Sequence, residues 1–435
     1  MEKEILEEEP YLPVHSVKKV LDGFKENMHS ITYFFNNFGE LAHKADFDEA
    51  MAAKDEMAAK FDSIGIGIES LMSGELGKEG FMNAMNEALE NQPDDLEELL
   101  VALDSNVPFA KNFGILSRSS FLMLNNYFEY LLADLLSYYY NKYQNSLDDK
   151  KFDFTLREIN EYDSIKEASK AFIVKVVESM LVELSFTDLI KHFDSVLKIS
   201  SESDSINWDL INECRERRHL IVHNSSVVNK KYLTRTKNPF KLNVGDTVSI
   251  SQDYFLRACN EFYLAGLLLS YNCWGKWDSE EIDECVGDIL DESVKLLIRK
   301  DYETNYRLAN YATKNIEPRS EDQEDLLSRI NVNRLISLKK QGKQAALAKE
   351  LKKIKIGTAA PIFKLAHAIL SDNHENIVVL FRRAIAAEEM DATHYLEWPI
   401  FEFLHDVDAV HEAVKIELSI VEESSTKDEV IDYQI

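Results

Sequence analysis

Apolar side chains recur at helical spacing along most of this chain, and very little interrupts them. Only 8 prolines and 14 glycines occur in 435 residues, too few to punctuate a protein built of short strands and tight turns. Leu, Ala, Glu and Lys dominate, and these residues lose little rotamer freedom in a helix. The expected fold class is all-α. With 45% hydrophobic residues the chain can bury sizeable cores, and its length suits two or three domains.

Punctuation divides the chain into three parts. Residues 1–112 read as an N-terminal helical region, regulatory or partner-binding, with apolar spacing over Val17–Phe38 and Phe47–Met72 and a Gly-rich break at Ser73–Gly80. Within it, Asn91-Gln92-Pro93-Asp94-Asp95 stops one helix and starts the next, because proline followed by acids favours a first turn. Residues 113–278 form a central domain. Its expected helices are Phe121–Tyr143, Ser164–Leu197 (broken near Ser185, with Thr187 as a cap), Ile206–His223 and Gln252–Trp274. Between the last two, Leu242, Val244, Val248 and Ile250 alternate about Gly245-Asp246, the pattern of a small β-hairpin inserted over Lys241–Ser251. Residues 279–435 are helical again and end in about fifteen polar residues.

Some classes are disfavoured at once. The N-terminus MEKEILEEEP has neither the basic nor the apolar region of a signal peptide. The longest uncharged apolar run, Phe262–Gly275, is too short to cross a bilayer, so no membrane partner is expected. Cys214, Cys259, Cys273 and Cys285 show neither metal nor disulfide spacing and fit buried thiols in a reducing cytoplasm. His367, His374, His394, His405 and His411 match no standard zinc set, so neither metal nor cofactor is expected.

The segment Glu213–Asn224, ECRERRHLIVHN, carries the chemistry. Arg218 precedes His223 by five residues, with His219 directly after the arginine and Asn224 directly after the second histidine. An imidazole can move a proton to or from a ribose hydroxyl near neutral pH, while a guanidinium holds a phosphate whose charge grows in the transition state. On a helical wheel Leu210, Ile211, Cys214, Ile221 and Val222 share an apolar face that includes Arg218. Arg215, His219 and His223 form a stripe along the polar edge. Five residues on an ideal helix separate Arg218 from His223 by about 140°. Either the helix loosens near Asn224-Ser225-Ser226, or two helices share one site.

Arg218-x4-His223, with polar His219 inside it and the IVHN ending, resembles the motif of the HEPN superfamily. The following residues through Leu233 are similar to HEPN branches with a loop and a basic segment. The resemblance covers a little over a third of the chain. It implies a helical, usually dimeric protein in which motifs paired across a two-fold axis shape one cleft, here a homodimer through the motif helix. It also implies a metal-independent RNA endonuclease that leaves 2′,3′-cyclic phosphate ends, serving as a conditional toxin or antiviral effector. His223 would then be general acid or base, Arg218 the phosphate and transition-state stabiliser, His219 a second proton-transfer or orienting group, and Asn224 a group that orients the imidazole or donates to a phosphate oxygen. Arg215, Lys230, Lys231, Arg235 and Lys237 would bind RNA. A protein partner or regulator would use the N- or C-terminal helices. Pro361–Ala387 loosely resembles a tetratricopeptide helix pair.

Charge cuts against this reading. With 49 basic and 77 acidic residues the formal charge is −28, which repels nucleic acid at long range. Glu213–Lys241 runs the other way, with 8 Lys/Arg against 2 acids. The alternative is a non-catalytic HEPN adaptor that binds proteins or docks RNA.

Overall fold

A computed structural model describes residues 16–64, 66, 77–104, 111–147, 162, 164–200, 205–404, 407 and 412–416. The Gly-rich break at 73–76, the polar C-terminus, His405 and His411 lie outside the described residues. The elements, numbered in chain order, are helices α1 (Val17–Ser63), α2 (Lys78–Asn91), α3 (Pro93–Asp104), α4 (Asn112–Lys142), α5 (Ile165–Glu183), α6 (Phe186–Ser195), α7 (Trp208–His223) and α8 (Lys230–Thr236). There follow α9 (Gln252–Trp277), α10 (Ile282–Ile298), α11 (Tyr302–Asn315), α12 (Glu321–Lys340), α13 (Gln344–Leu351), α14 (Pro361–Leu370), α15 (Ile377–Ala386) and α16 (Ala392–Glu397). The fold is all-α, and no strand occurs among the described residues. None of the described helices is long and apolar enough to cross a membrane.

Local rules explain most boundaries. Proline at the first position of α3 with Asp94 and Asp95 behind it starts that helix where the sequence indicates. The break before α6 is also present, but Ser185 rather than Thr187 is the cap. Its side chain accepts from the Asp188 amide, because Ser185 has the extended backbone a cap needs and Thr187 is already inside the helix.

The expected β-hairpin over Lys241–Ser251 does not form. Gly245, at φ +98°, makes the turn, and the Asp246 carboxylate accepts from the Asn243 amide at 2.6 Å. The flanks, however, pair with residues 226–228 and not with each other. Val228 N–H donates to Asp246 O, Gly245 N–H to Val228 O and Val248 N–H to Ser226 O, leaving a single antiparallel bridge between Val227 and Thr247. Burial decides the outcome. Val248 packs with Leu220, Val228 and Tyr232, whereas Val244 stays 56% exposed and cannot anchor a two-stranded ribbon.

Two compact units interleave along the chain. One comprises Met1–Lys25, Phe128–Asn212 and Asn260–Ile435, and the other comprises Glu26–Tyr127 and Glu213–Cys259. In the first, Phe24 packs edge-on to Phe128 and stacks on Tyr263, while α9 buries Phe262, Leu264, Leu267 and Trp274. Arg307 of α11 ties the Ser205 carbonyl to the Glu261 carboxylate. Helices α10, α11 and α12 enclose a polar chain in which Asn305 bonds Ser293, Ser337 and the Asn333 carbonyl. A second core gathers Ile336, Leu365, Phe381, Phe401 and Leu404, with α14 and α15 packed as a pair.

In the other unit, Phe35 lies between Phe113 and Phe255, its ring centroid 4.0 Å from the latter. The Asp46 carboxylate receives the backbone amides of Asn112 and Phe113, supplying the cap that α4 lacks in its own sequence. Those amide bonds hold its pKa below the usual aspartate value.

Gly266 marks the tightest packing. A Cβ there would stand 2.1 Å from the Phe24 ring and 2.9 Å from Leu131. Alanine would gain about 1 kcal/mol of helix propensity, but overpacking costs about 1–3 kcal/mol, and both neighbours are buried. Gly266→Ala is therefore expected to lower the urea unfolding midpoint, and an unchanged or higher midpoint would show that Phe24 can yield.

Candidate functional site

Helix α7 carries the site, and its buried face differs from the wheel in one respect that matters. Ile211, Glu213, Cys214, Arg217 and Leu220 are buried, whereas Val222 is 51% exposed and Arg218 only half-buried. The arginine in the core is Arg217, and it has partners. Its Nε donates to Glu213 Oε1 at 2.8 Å and Nη1 to the Ser249 carbonyl at 2.9 Å. Its guanidinium carbon lies 4.2 Å from the centre of the Tyr254 ring and 4.9 Å from that of Phe240.

The Glu213 carboxylate is fully buried and fully used. Besides Arg217 it accepts from the Tyr232 hydroxyl on Oε1 and the Tyr254 hydroxyl on Oε2. One charge thus joins α7, α8 and α9. Burial, and then the Glu213 charge, raise the Tyr232 pKa, so this phenol is a donor at any physiological pH. Burial does the same to Cys214, whose thiol bonds the Tyr254 hydroxyl and is no nucleophile. Neither Glu213 nor the tyrosines stood out among the candidate residues. The i, i+4 spacing of Glu213 and Arg217 was the available signal.

Above this buried layer α7 presents its reactive edge. His219 and His223 are exposed one turn apart, with ring centroids 4.8 Å from each other and planes inclined by 49°. Desolvation lowers the His219 pKa from the ordinary imidazole value. The neighbouring His223 and Lys231 and the more weakly acting Arg235 push the same way, and Glu216 opposes them. Arg235 reaches back from α8 to Glu216 at 2.8 Å. Lys230, Lys231 and Lys237 are exposed on and just after α8, and Arg215 is half-buried on α7.

Arg218 points to a different neighbour. Its Nη2 donates to Asn126 Oδ1 on α4 at 3.0 Å. The helix stays regular through His223 and turns only beyond it, at Ser225 and Ser226, which have φ of +49° and +65°. The angular separation of Arg218 from His223 within one chain therefore persists. Asn224 Nδ2 donates to the Val227 carbonyl at 2.5 Å, so its amide serves the turn that ends the helix.

Left-handed backbone is concentrated beside this edge. Of nine non-glycine residues with positive φ among the described residues, five lie between Ser225 and Lys241. Each costs on the order of 1–3 kcal/mol, and such strain gathers where side chains must be held in place for function.

Compared with models of protein families, with curated proteins and with solved structures, the chain matches none.

The buried network has a measurable signature. Arg217→Met would strand the Glu213 charge in the core, at a cost of about 3–5 kcal/mol. Glu213→Leu combined with Arg217→Met removes the charge as well and is expected to cost less than Arg217→Met alone, by chemical denaturation at pH 7. Equal losses would mean that Arg217 contributes through its ring contacts and not as a counter-charge.

Proposed function

We propose that the α7 edge is the active site of a metal-independent RNA endonuclease of HEPN type. The observation that carries this reading is the exposed His219–His223 pair, one turn apart on one helix edge with ring centroids 4.8 Å from each other and the basic helix α8 beside them. Two imidazoles within reach of one phosphodiester are the pairing that general base and general acid need. His219 takes the proton from a ribose 2′-hydroxyl, and the 2′-oxygen attacks the adjacent phosphorus. The bond to the 5′-oxygen breaks as His223 delivers a proton to it, leaving a 2′,3′-cyclic phosphate and a 5′-hydroxyl. Arg218, braced by Asn126, neutralises the phosphorane charge, and Lys230, Lys231, Arg235 and Lys237 follow the backbone of the RNA.

Because Arg218 and His223 stay on separate faces, this reading includes a homodimer in which the partner subunit brings its arginine to the shared cleft. A cytoplasmic conditional toxin or antiviral effector suits such chemistry, with protein regulators on the flanking helices. The strongly acidic whole chain, at −28, favours the rival reading of a non-catalytic adaptor.

Incubation of the purified protein with single-stranded RNA in EDTA separates the two. Cleavage is expected in chelator, abolished by His223→Ala and slowed by about 10²–10³ in Arg218→Ala. If His219 is the base, activity falls with decreasing pH only below the ordinary histidine value of about 6.5. That acid limb should vanish in His219→Ala. Absence of cleavage, or cleavage restored only by magnesium, would refute the proposal.

A further inference from the structure

Helices α10 and α12, together with the segment around α16, border an open cavity of about 220 Å³ that the RNA-cleaving reading does not use. Its walls have two characters. Leu290, Val294 and the Trp398 ring supply apolar surface, while Asp291, Glu397 and Arg329 supply charge. Neither Asp291 nor Glu397 has an ion-pair partner among the described residues. Arg329 Nε donates to Asp325 at 2.6 Å, and its two terminal nitrogens have no acceptor among the described residues. His394, at the rim, is engaged through Nδ1 by Asp391.

Asn333 gives the cavity its orientation. It lines the cavity, is 1% exposed, and its Nδ2 has no hydrogen-bond partner among the described residues. The assignment of its amide is not arbitrary. Trp398 Nε1 donates to Asn333 Oδ1 at 3.0 Å, and an indole N–H can only donate. The atom facing it must be the oxygen, which leaves Nδ2 as a donor in search of an acceptor. Buried donors are almost always satisfied, so this N–H is a donor available to an acceptor that the cavity admits.

The required ligand therefore has a cationic end for two open carboxylates, an acceptor for an amide N–H and a guanidinium, and an apolar body for Leu290, Val294 and Trp398. It must also be small, because 220 Å³ lies below the roughly 300–1,000 Å³ of pockets that take drug-sized molecules. We propose that this cavity binds a free α-amino acid with an apolar side chain. Asp291 and Glu397 hold the ammonium group, Asn333 Nδ2 and Arg329 hold the carboxylate, and the side chain lies against Leu290, Val294 and Trp398.

The test is calorimetric titration of the full chain with leucine and phenylalanine, alongside N-acetyl-leucine, leucinamide and the dipeptide Leu-Ala. Leucine or phenylalanine is expected to bind once per chain, and N-acetyl-leucine, which has no ammonium, is not. Asp291→Asn, Glu397→Gln and Arg329→Gln alter exposed or half-buried side chains and should leave the circular dichroism spectrum intact. Each should weaken leucine binding by about tenfold or more, the effect of losing one charge-assisted hydrogen bond. No binding of either amino acid at millimolar concentration would overturn the proposal, as would binding that all three variants leave unchanged. If leucinamide binds as tightly as leucine, the free carboxylate is not read, and if Leu-Ala does, the site admits more than one residue; either result shows that a free amino acid is not the occupant.

Discussion

The carboxylate of Glu213 is the point on which the motif region depends. A lone charge in a core is untenable, and this one is neutralised by Arg217 and hydrogen-bonded by two tyrosines from later in the chain. Buried ion pairs are weak sources of net stability, because desolvation cancels most of their attraction. What this one supplies is register. If α7 rotated by one residue, Arg218 would enter the core in place of Arg217, and Arg217 would lose its bonds to Glu213 and the Ser249 carbonyl and its contacts with both aromatic faces. The arrangement that satisfies Glu213 is also the one that leaves His219 and His223 on the open edge.

From that register the electrostatics of the edge follow. Tyr232 anchors α8 to Glu213 from below, and the same short helix carries Lys231 and Arg235. Both cations act on His219, and Arg235 is held by Glu216. A buried anion thus sets the distance between a basic helix and a histidine pair. The acidic balance of the whole chain and the basic strip of Glu213–Lys241 are compatible on these terms. Long-range repulsion limits indiscriminate contact with nucleic acid, while the local cations operate within a Debye length, about 8 Å at physiological ionic strength.

Local features were legible in the sequence, and features that depend on distant partners were not. The start of α3 at Pro93 and the run of α7 to His223 follow from capping and periodicity within a few residues. So does the adjacency of His219 and His223, four residues apart on one helix. The hairpin misreading arose because the partner of Val248 is Ser226, across the whole of α8, and alternation alone does not say with whom a segment pairs. The choice between Arg217 and Arg218 as the buried arginine turned on Tyr232 and Tyr254, which lie 19 and 41 residues from Glu213 in sequence. Asn126 was invisible as a partner of Arg218 for the same reason, at a separation of 92 residues. The cavity bordered by α10, α12 and α16 draws on three separate helical segments and left no mark in any one of them.

The claim that a buried anion places α8 and the histidine pair in one electrostatic environment can be measured directly. Nuclear magnetic resonance titration of the imidazoles, in the wild type and in a Lys231→Gln, Arg235→Gln variant, reports it without reference to any substrate. The expected result is a His219 pKa below the free value of about 6.5 that moves upward when the two cations are removed. A His219 that titrates at the free value, and does so equally in both proteins, would contradict it.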